Sequence, residues 1–483
     1  MEQMKSLKKN SFYSFLNAFS TLIFPLITFP YASRILHPEG IGQVNFAVSI
    51  EGYFSMLAGL GIAAYATREA AKIRDNKKEL SKFCKEMLII NFISMIISYS
   101  ILTGCLFFIN KLHNYKILIL VRSTNIFFTT IGLEWLYRAE EDFKYITLRS
   151  LIFKFSGLAF LFLFVKNEND TIAYTIFGIL TSVASNICNL FHSRKYISYT
   201  EKCSIELKKH IKYLFTFFGM RLVTSLYTIL DTSMLGFLSN DIQVGYYAAA
   251  TKINKLVVGV LTATASVLLP RLVYYKEHNE NEKFLKLSEK SISITLLLAL
   301  PLTIGLFFLS PSLIFIFSGE MFMDAIPAMH IISPIIVTIG VANITGSQIL
   351  PAIGKEKASL ISYIIGASMN ITMNALFIPK LGATGAAIGT LTAETSVTLV
   401  QLLFARKYLT RIIVKNFFQS LFSCIPMALV LILINIFIKT PFINIILSII
   451  FSIIIYGTLL ILIKNTYFLE IKNTLLKRFK ITK

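Results

Sequence analysis

Residues 68–85 read REAAKIRDNKKELSKFCK, and residues 86–109 read EMLIINFISMIISYSILTGCLFFI. The first stretch carries Arg68, Lys72, Arg74, Lys77, Lys78, Lys82 and Lys85; the second is apolar and about long enough to cross a hydrocarbon core of ~30 Å. The pair repeats along the chain. Comparable basic clusters lie at Arg194–Lys212, Arg271–Lys290, Arg406–Lys415 and Lys464–Lys483, and the loops between them hold few cations. Lys and Arg are retained in cytoplasmic loops, so both termini are expected in the cytoplasm. Fourteen apolar segments fit a spanning helix, at about 12–33, 43–66, 86–109, 117–137, 146–165, 171–191, 212–236, 245–269, 290–309, 325–350, 358–378, 385–405, 417–438 and 442–463. Helices are required because lipid leaves no exposed backbone group a partner, and no barrel-like alternation appears. The expectation is an all-α integral membrane protein.

Composition agrees. Of 483 residues 55% are hydrophobic and 15% charged, and mean hydropathy is +0.67. A net charge of +21 would suggest nucleic acid in a soluble protein. Here the cations are scattered over separate loops, which assigns them to topology and to anionic lipid headgroups. Nucleic acid is therefore not an expected partner. Cys84, Cys105, Cys188, Cys203 and Cys424 form no C-x-x-C, so neither a disulfide framework nor a metal site is expected. There is no P-loop and no H-E-x-x-H. No loop exceeds about 21 residues, which leaves no room for an extramembrane catalytic domain; an enzyme is not expected. The apolar run after Lys5, Lys8 and Lys9 could mimic a signal peptide but is too long for one. It reads as the first spanning helix.

A faint internal repeat has a spacing of 203 residues: Gly42 answers to Gly245, Ala47 to Ala250, Ile50 to Ile253 and Arg68 to Arg271. Six helices per unit gives parallel repeats. The domains read as residues 1–200 and 201–410, two six-helix bundles, then 411–483, two accessory helices and a basic tail. The passage Pro25-Leu-Ile-Thr-Phe-Pro30-Tyr-Ala-Ser-Arg34, then Gly40-Ile-Gly42, Gly59-Leu-Gly61 and Tyr65-Ala-Thr-Arg68-Glu69, resembles the opening of bacterial polysaccharide-unit flippases. These belong to the MATE-like multidrug/oligosaccharidyl-lipid/polysaccharide exporter superfamily. Ile378-Pro379-Lys-Leu-Gly382-Ala-Thr-Gly385-Ala-Ala-Ile-Gly389-Thr390 is similar to the turn before the twelfth helix of that superfamily. The resemblance implies two facing bundles and a cargo of undecaprenyl-diphosphate-linked oligosaccharide, moved from inner to outer leaflet of the bacterial cytoplasmic membrane. It also implies a polysaccharide polymerase and chain-length machinery as partners.

Charges inside the segments are the candidate site. About ten residues reach mid-membrane, which puts Glu51, Lys154, Arg221, Lys252, Lys255 and Glu394 deep and Asp231 nearer the outer face. Arg122, Glu134 and Arg149 lie close enough to helix ends to snorkel. Each deep charge facing lipid costs at least about 2.5–3.5 kcal/mol, so the deep set must pair or face water. One reading pairs Glu51 with Lys252 or Lys255. The other is a wet cavity in which Lys154, Arg221, Lys252 and Lys255 receive a diphosphate. Glu51, Asp231 and Glu394 are then candidates for H+ or Na+ coupling, with no other cofactor expected. Pro25 and Pro30 read as a static kink or as a hinge. His330, Asn343, Asn370 and Asn374 read as interhelical hydrogen-bond partners, and Gly385–Gly389 as close helix packing. Rival readings are a cation-coupled multidrug antiporter, which predicts a site dominated by acids, a peptidoglycan-precursor flippase, and a membrane-embedded polysaccharide polymerase.

Overall fold

The structure, a computed structural model, describes residues 7–200, 204–263 and 268–481; the side chains of residues 7, 8, 220, 221, 223–228, 263 and 475–481 lie outside the described part. Every element among the described residues is helical. Among the described residues, ten helices are long and apolar enough to cross a membrane. Large apolar side chains such as Phe155 (61%), Phe422 (60%) and Ile453 (68%) are turned outward, which water would penalise and lipid does not. This is a multi-pass membrane protein.

The chain packs as two compact units, Met1–Gly245 and Tyr246–Lys483. In the first, α1 (Leu7–Gly59) holds two of the expected segments, and its dihedrals leave helical values only at His37 (φ 56, ψ 177). Pro38 disfavours helical ψ on the residue before it and then opens the next helix with its own fixed φ. A short amphipathic α2 (Ile62–Ile73) follows, entered through Leu60 (φ 40) and Gly61 (φ 73). A Cβ on Gly61 would lie 2.6 Å from the backbone nitrogen of Phe218, so both space and backbone demand glycine there. The long α3 (Lys77–Phe108) starts at Asn76, whose side chain accepts from the Glu79 amide at 3.2 Å, an N-cap in ordinary form. Then come α4 (Asn110–His113), α5 (Lys116–Ile131), α6 (Glu134–Ala139) and α7 (Phe143–Phe164). The fourth expected segment is broken at Leu133 (φ 43), between α5 and α6. The sixth is α8 (Thr171–Ile179), a π-turn over Leu180–Ala184, and α9 (Asn186–His192). In the turn before α8, Asp170 accepts from the amides of Lys166 and Asn167, both at 2.8 Å, which holds its carboxyl below the usual range. The unit closes with α10 (Lys208–Leu238) and the start of α11 (Asp241–Ala263). Packing thus divides the chain after Gly245, because α10 lies against α1 and α2; the division after residue 200 rests on the repeat instead.

In the second unit, α12 (Leu268–Glu277) leads into α13 (Asn281–Ser318). The tenth expected segment is not one rod but α14 (Ile326–Ile332), α15 (Ile335–Ile344), a π-turn over Thr345–Ile349, and α16 (Leu350–Ala352). Each proline sits at the start of a piece: Pro327 and Pro351 in first turns, Pro334 as the cap of α15. That is where a missing N–H does no harm. Next, α17 (Glu356–Leu381) and α18 (Ala383–Ala405) form a tight hairpin. A Cβ on Gly385 would meet the Phe377 carbonyl at 2.5 Å, and one on Gly389 would sit 2.0 Å from Asn374 Oδ1. Gly385 and Gly389 are packing residues, as expected. Changing Gly389 to Ala should lower thermal stability by about 1–3 kcal/mol, measured by the melting of purified protein, with Gly104→Ala on α3, where an added Cβ meets nothing within 4 Å, as the milder control.

The last elements, α19 (Arg411–Phe437), α20 (Pro441–Leu462) and α21 (Thr466–Ile481), pack on α13. Asn435 donates to the Phe308 carbonyl at 2.9 Å, Tyr456 to that of Leu297 at 2.8 Å, and Asn416 to Ser293 at 3.1 Å.

Candidate functional site

Glu51 sits in the second half of α1 and is 2% exposed. Its Oε1 accepts from Asn125 Nδ2 at 2.8 Å, and its Oε2 lies 3.4 Å from Arg122 Nε, both on α5. Gly178 on α8 makes room for the guanidinium: a Cβ there would stand 3.2 Å from Nη1. This corrects one expectation. Within this unit the cation set against Glu51 is Arg122, which does not snorkel, since its side chain is only 14% exposed. Depth along a helix was the wrong ruler. Azimuth decides, and Arg122 lies on the face of α5 that meets α1. Arg122 Nε makes no hydrogen bond of good geometry, so a donor is left over beside the carboxylate.

A buried pair broken on one side strands a charge, at about 3–5 kcal/mol. Glu51→Gln and Arg122→Met are each expected to destabilise by that order. The double variant should cost far less than their sum, a coupling readable in a thermal-melt double-mutant cycle.

Arg149 departs from its expectation in the same way. It is 6% exposed, donates to Asn189 Oδ1 and, at 3.5 Å, to Asn186 Oδ1, and lies 3.7 Å from Glu134. Tyr137 donates to the Asn189 carbonyl at 2.5 Å. This web ties α6, α7 and α9 together and reads as structural. The pair Asn186 and Asn189, three apart on one helix face, was the available sequence signal.

Lys154, on α7, is different. It is 8% exposed, and its ammonium donates to Ser20 Oγ at 2.7 Å and to Thr21 Oγ1 at 2.9 Å. Both hydroxyls spend their own hydrogens on the Asn17 carbonyl, which turns their lone pairs toward the lysine. The Phe24 ring lies 5.8 Å from Nζ, a weak electrostatic partner. None of the ion pairs found to 4.0 Å among the described residues includes Lys154. Dipoles, not a counter-charge, hold this cation. An ammonium has three donors, so one remains for an acceptor.

Asp231 on α10 is 6% exposed. Close by, Tyr53 of α1 and Ser233 of α10 share a hydrogen bond of 2.6 Å. The Arg221 side chain lies outside the described residues. In the second unit Lys252 is half-buried and Lys255 exposed on α11, one turn apart and near enough to repel. Glu394, half-buried on α18, lies within electrostatic reach of Tyr363 on α17. Glu51, Lys154 and Asp231 are thus placed in one unit, and Lys252, Lys255 and Glu394 in the other. Helical dihedrals continue through Pro25 and Pro30; the break lies at His37. His330 on α14 shares a 2.6 Å hydrogen bond with Ser310 on α13, an interhelical contact as expected, whereas the bond from Asn374 to Asn370 at 3.1 Å lies within α17.

A helical membrane protein with an acid–arginine pair and a dipole-held lysine among its helices can be set beside known families. The family described as "Polysaccharide biosynthesis protein" matches residues 7–276. The chain belongs to that family. The family described as "MatE" matches residues 217–376. Among the relatives of this chain, a "Putative O-antigen transporter" of Escherichia coli (strain K12) is 24% identical over 83% of the chain and 97% of the relative. One from Shigella dysenteriae is 26% identical over 82% and 99%. Among solved structures, "Lipid II flippase MurJ, inward closed conformation" superposes with a TM-score of 0.71 at 20% identity, over 94% of this chain and 98% of that one. An inward-facing multidrug resistance MATE family transporter reaches 0.62 at 16% identity, over 82% and 97%. At such identities these two show the shared MATE-like fold.

Proposed function

We propose that this family member is a flippase that carries undecaprenyl-diphosphate-linked oligosaccharide units from the inner to the outer leaflet of the bacterial cytoplasmic membrane. The observation that carries the reading is Lys154, a buried ammonium whose partners among the described residues are two hydroxyls and an aromatic ring. Such a group is poor at holding a fold together and well suited to an incoming phosphate oxygen. Relatives named as putative O-antigen transporters, matched over nearly their whole length, support the cargo class.

In this reading the chain crosses fourteen times with both termini in the cytoplasm. Lys154, Arg221, Lys252 and Lys255 offset the diphosphate charge while the polyprenyl chain stays in lipid, and alternating access carries the sugars across. Pro25 and Pro30 let the first segment bend. Glu51, Asp231 and Glu394 respond to H+ or Na+, and Arg122 sets what Glu51 can do, since a proton on Glu51 releases the guanidinium from its partner. A polysaccharide polymerase and chain-length machinery take the product. Deleting the gene should leave the lipid-linked oligosaccharide in the inner leaflet, scored by protection from an externally added glycosidase in spheroplasts. Material found wholly in the outer leaflet would reject the assignment. The MatE match favours an antiporter as the second reading; that predicts drug hypersensitivity of the deletion strain with intact surface glycan.

A further inference from the structure

On the first unit, the C-terminal turn of α1, the middle of α3 and the start of α10 line a groove of about 420 Å³. Its walls are Leu60, Ile93, Ile97, Ile211, Phe215 and Phe218, with four neighbours of which Ser94 alone is polar. Ser94 spends its hydroxyl on the Ile90 carbonyl at 3.0 Å. Nothing polar is therefore offered to an occupant, and water has no partner there. The lining follows the helices: 207, 211, 215 and 218 on α10, and 90, 93, 94 and 97 on α3, each a single face. The groove thus runs lengthwise, from Leu60 and Leu207 at the basic-loop end to Ile97 and Phe218 deeper in.

Its mouth is charged. Lys208 and Lys212 flank the α10 stripe one turn apart and are exposed. Two other nearby cations are already engaged: Lys82 with Glu206 at 2.8 Å, and Lys209 with Glu86 at 3.4 Å. No ion pair among the described residues includes Lys208 or Lys212. Long lysine stems reach the headgroup level from such positions.

We propose that this groove binds the proximal isoprenoid units of a polyprenyl diphosphate, with Lys208 and Lys212 on the diphosphate, in the leaflet that the basic loops face. Purely apolar walls select a hydrocarbon chain, and two neighbouring ammonium groups match a headgroup with two or more negative charges better than a singly charged phosphodiester. The site rests on the flippase reading and gives it a place where the cargo's lipid end waits before the sugars move.

The test uses full-length protein in nanodiscs and two photoreactive probes, a benzophenone-tagged polyprenyl diphosphate and a benzophenone-tagged phosphatidylglycerol. Only the first should label peptides spanning Ile90–Ile97 and Ile211–Phe218. Ile97→Trp, or Leu60→Trp at the other end, should cut that labelling at least about fivefold by filling the groove. Lys208→Gln with Lys212→Gln should weaken probe binding about tenfold. Equal labelling by phosphatidylglycerol, or labelling untouched by both tryptophans, would overturn the site. The two readings separate in cells. If Ile97→Trp and Leu60→Trp proteins restore surface polysaccharide at the wild-type rate, the groove fails and the flippase stands. If wild-type protein shows the labelling yet the deletion strain keeps its polysaccharide, the flippase fails and the groove stands.

Discussion

Lys154→Met protein is expected to be more stable than wild type and to make far less surface polysaccharide. Methionine keeps the length of the lysine stem but removes a charge that, among the described residues, Ser20, Thr21 and the Phe24 ring compensate. Replacing buried ion pairs by apolar groups of similar volume is neutral or stabilising by up to about 4 kcal/mol, and here no counter-charge among the described residues is stranded. The two hydroxyls keep their bonds to the Asn17 carbonyl, so no donor is orphaned. Function should move the opposite way. If the ammonium meets a phosphate oxygen inside the membrane, its loss removes about 2–4 kcal/mol of transition-state stabilisation, a rate loss of about 30- to 1,000-fold. Lys154→Arg should keep part of the activity, since the charge survives in a longer, forked group. Melting of purified protein and gel analysis of surface polysaccharide in a complemented deletion strain read the two halves separately. A destabilised Lys154→Met protein would place the lysine in the scaffold.

The second large effect is expected where Gly42 and Gly245 meet backbone. A Cβ on Gly42 would lie 1.8 Å from the Asp241 carbonyl oxygen, and a Cβ on Gly245 2.0 Å from that of Pro38. Pro38 and Asp241 are themselves 203 residues apart, the spacing of the internal repeat. The two contacts are therefore one contact written twice, related by the pseudo-symmetry of the repeat. The chain holds it together from the side: Tyr115 donates to Asp241 at 2.6 Å, and Lys111 donates to the carbonyls of Phe237 and Ser239, both at 3.2 Å. Backbone against backbone cannot be relieved by a rotamer change. Gly42→Ala or Gly245→Ala should each cost about 1–3 kcal/mol and cut transport. Because either methyl opens the same contact, the double variant should cost little more than one alone. Additive melts would show two independent sites instead.

The helices were legible from sequence because lipid makes length and apolarity obligatory, and the basic loops gave the expected orientation by the same logic. The breaks were partly legible. Pro38 explains His37, and the three prolines of the tenth segment explain its division into pieces. What single-sequence reasoning lacked was azimuth. Arg122 and Arg149 looked like snorkelling residues by depth, yet both turn inward, one to Glu51 and the other to Asn186 and Asn189. The glycine repeat was visible as spacing alone; its purpose needed coordinates, since nothing in a sequence says that two turns share a carbonyl-sized gap. Lys154 was marked by depth, while its reliance on Ser20 and Thr21 could not be seen, because those residues lie in a segment far away in the chain.

The most direct measurement reconstitutes wild-type and Lys154→Met protein in vesicles carrying a fluorescent polyprenyl-diphosphate oligosaccharide in one leaflet, and follows its arrival in the other with a membrane-impermeant quencher. Transfer by wild type, its inhibition by sugar-free polyprenyl diphosphate, and transfer by Lys154→Met slowed at least about 30-fold are the predicted results. Equal transfer by both proteins would contradict the account.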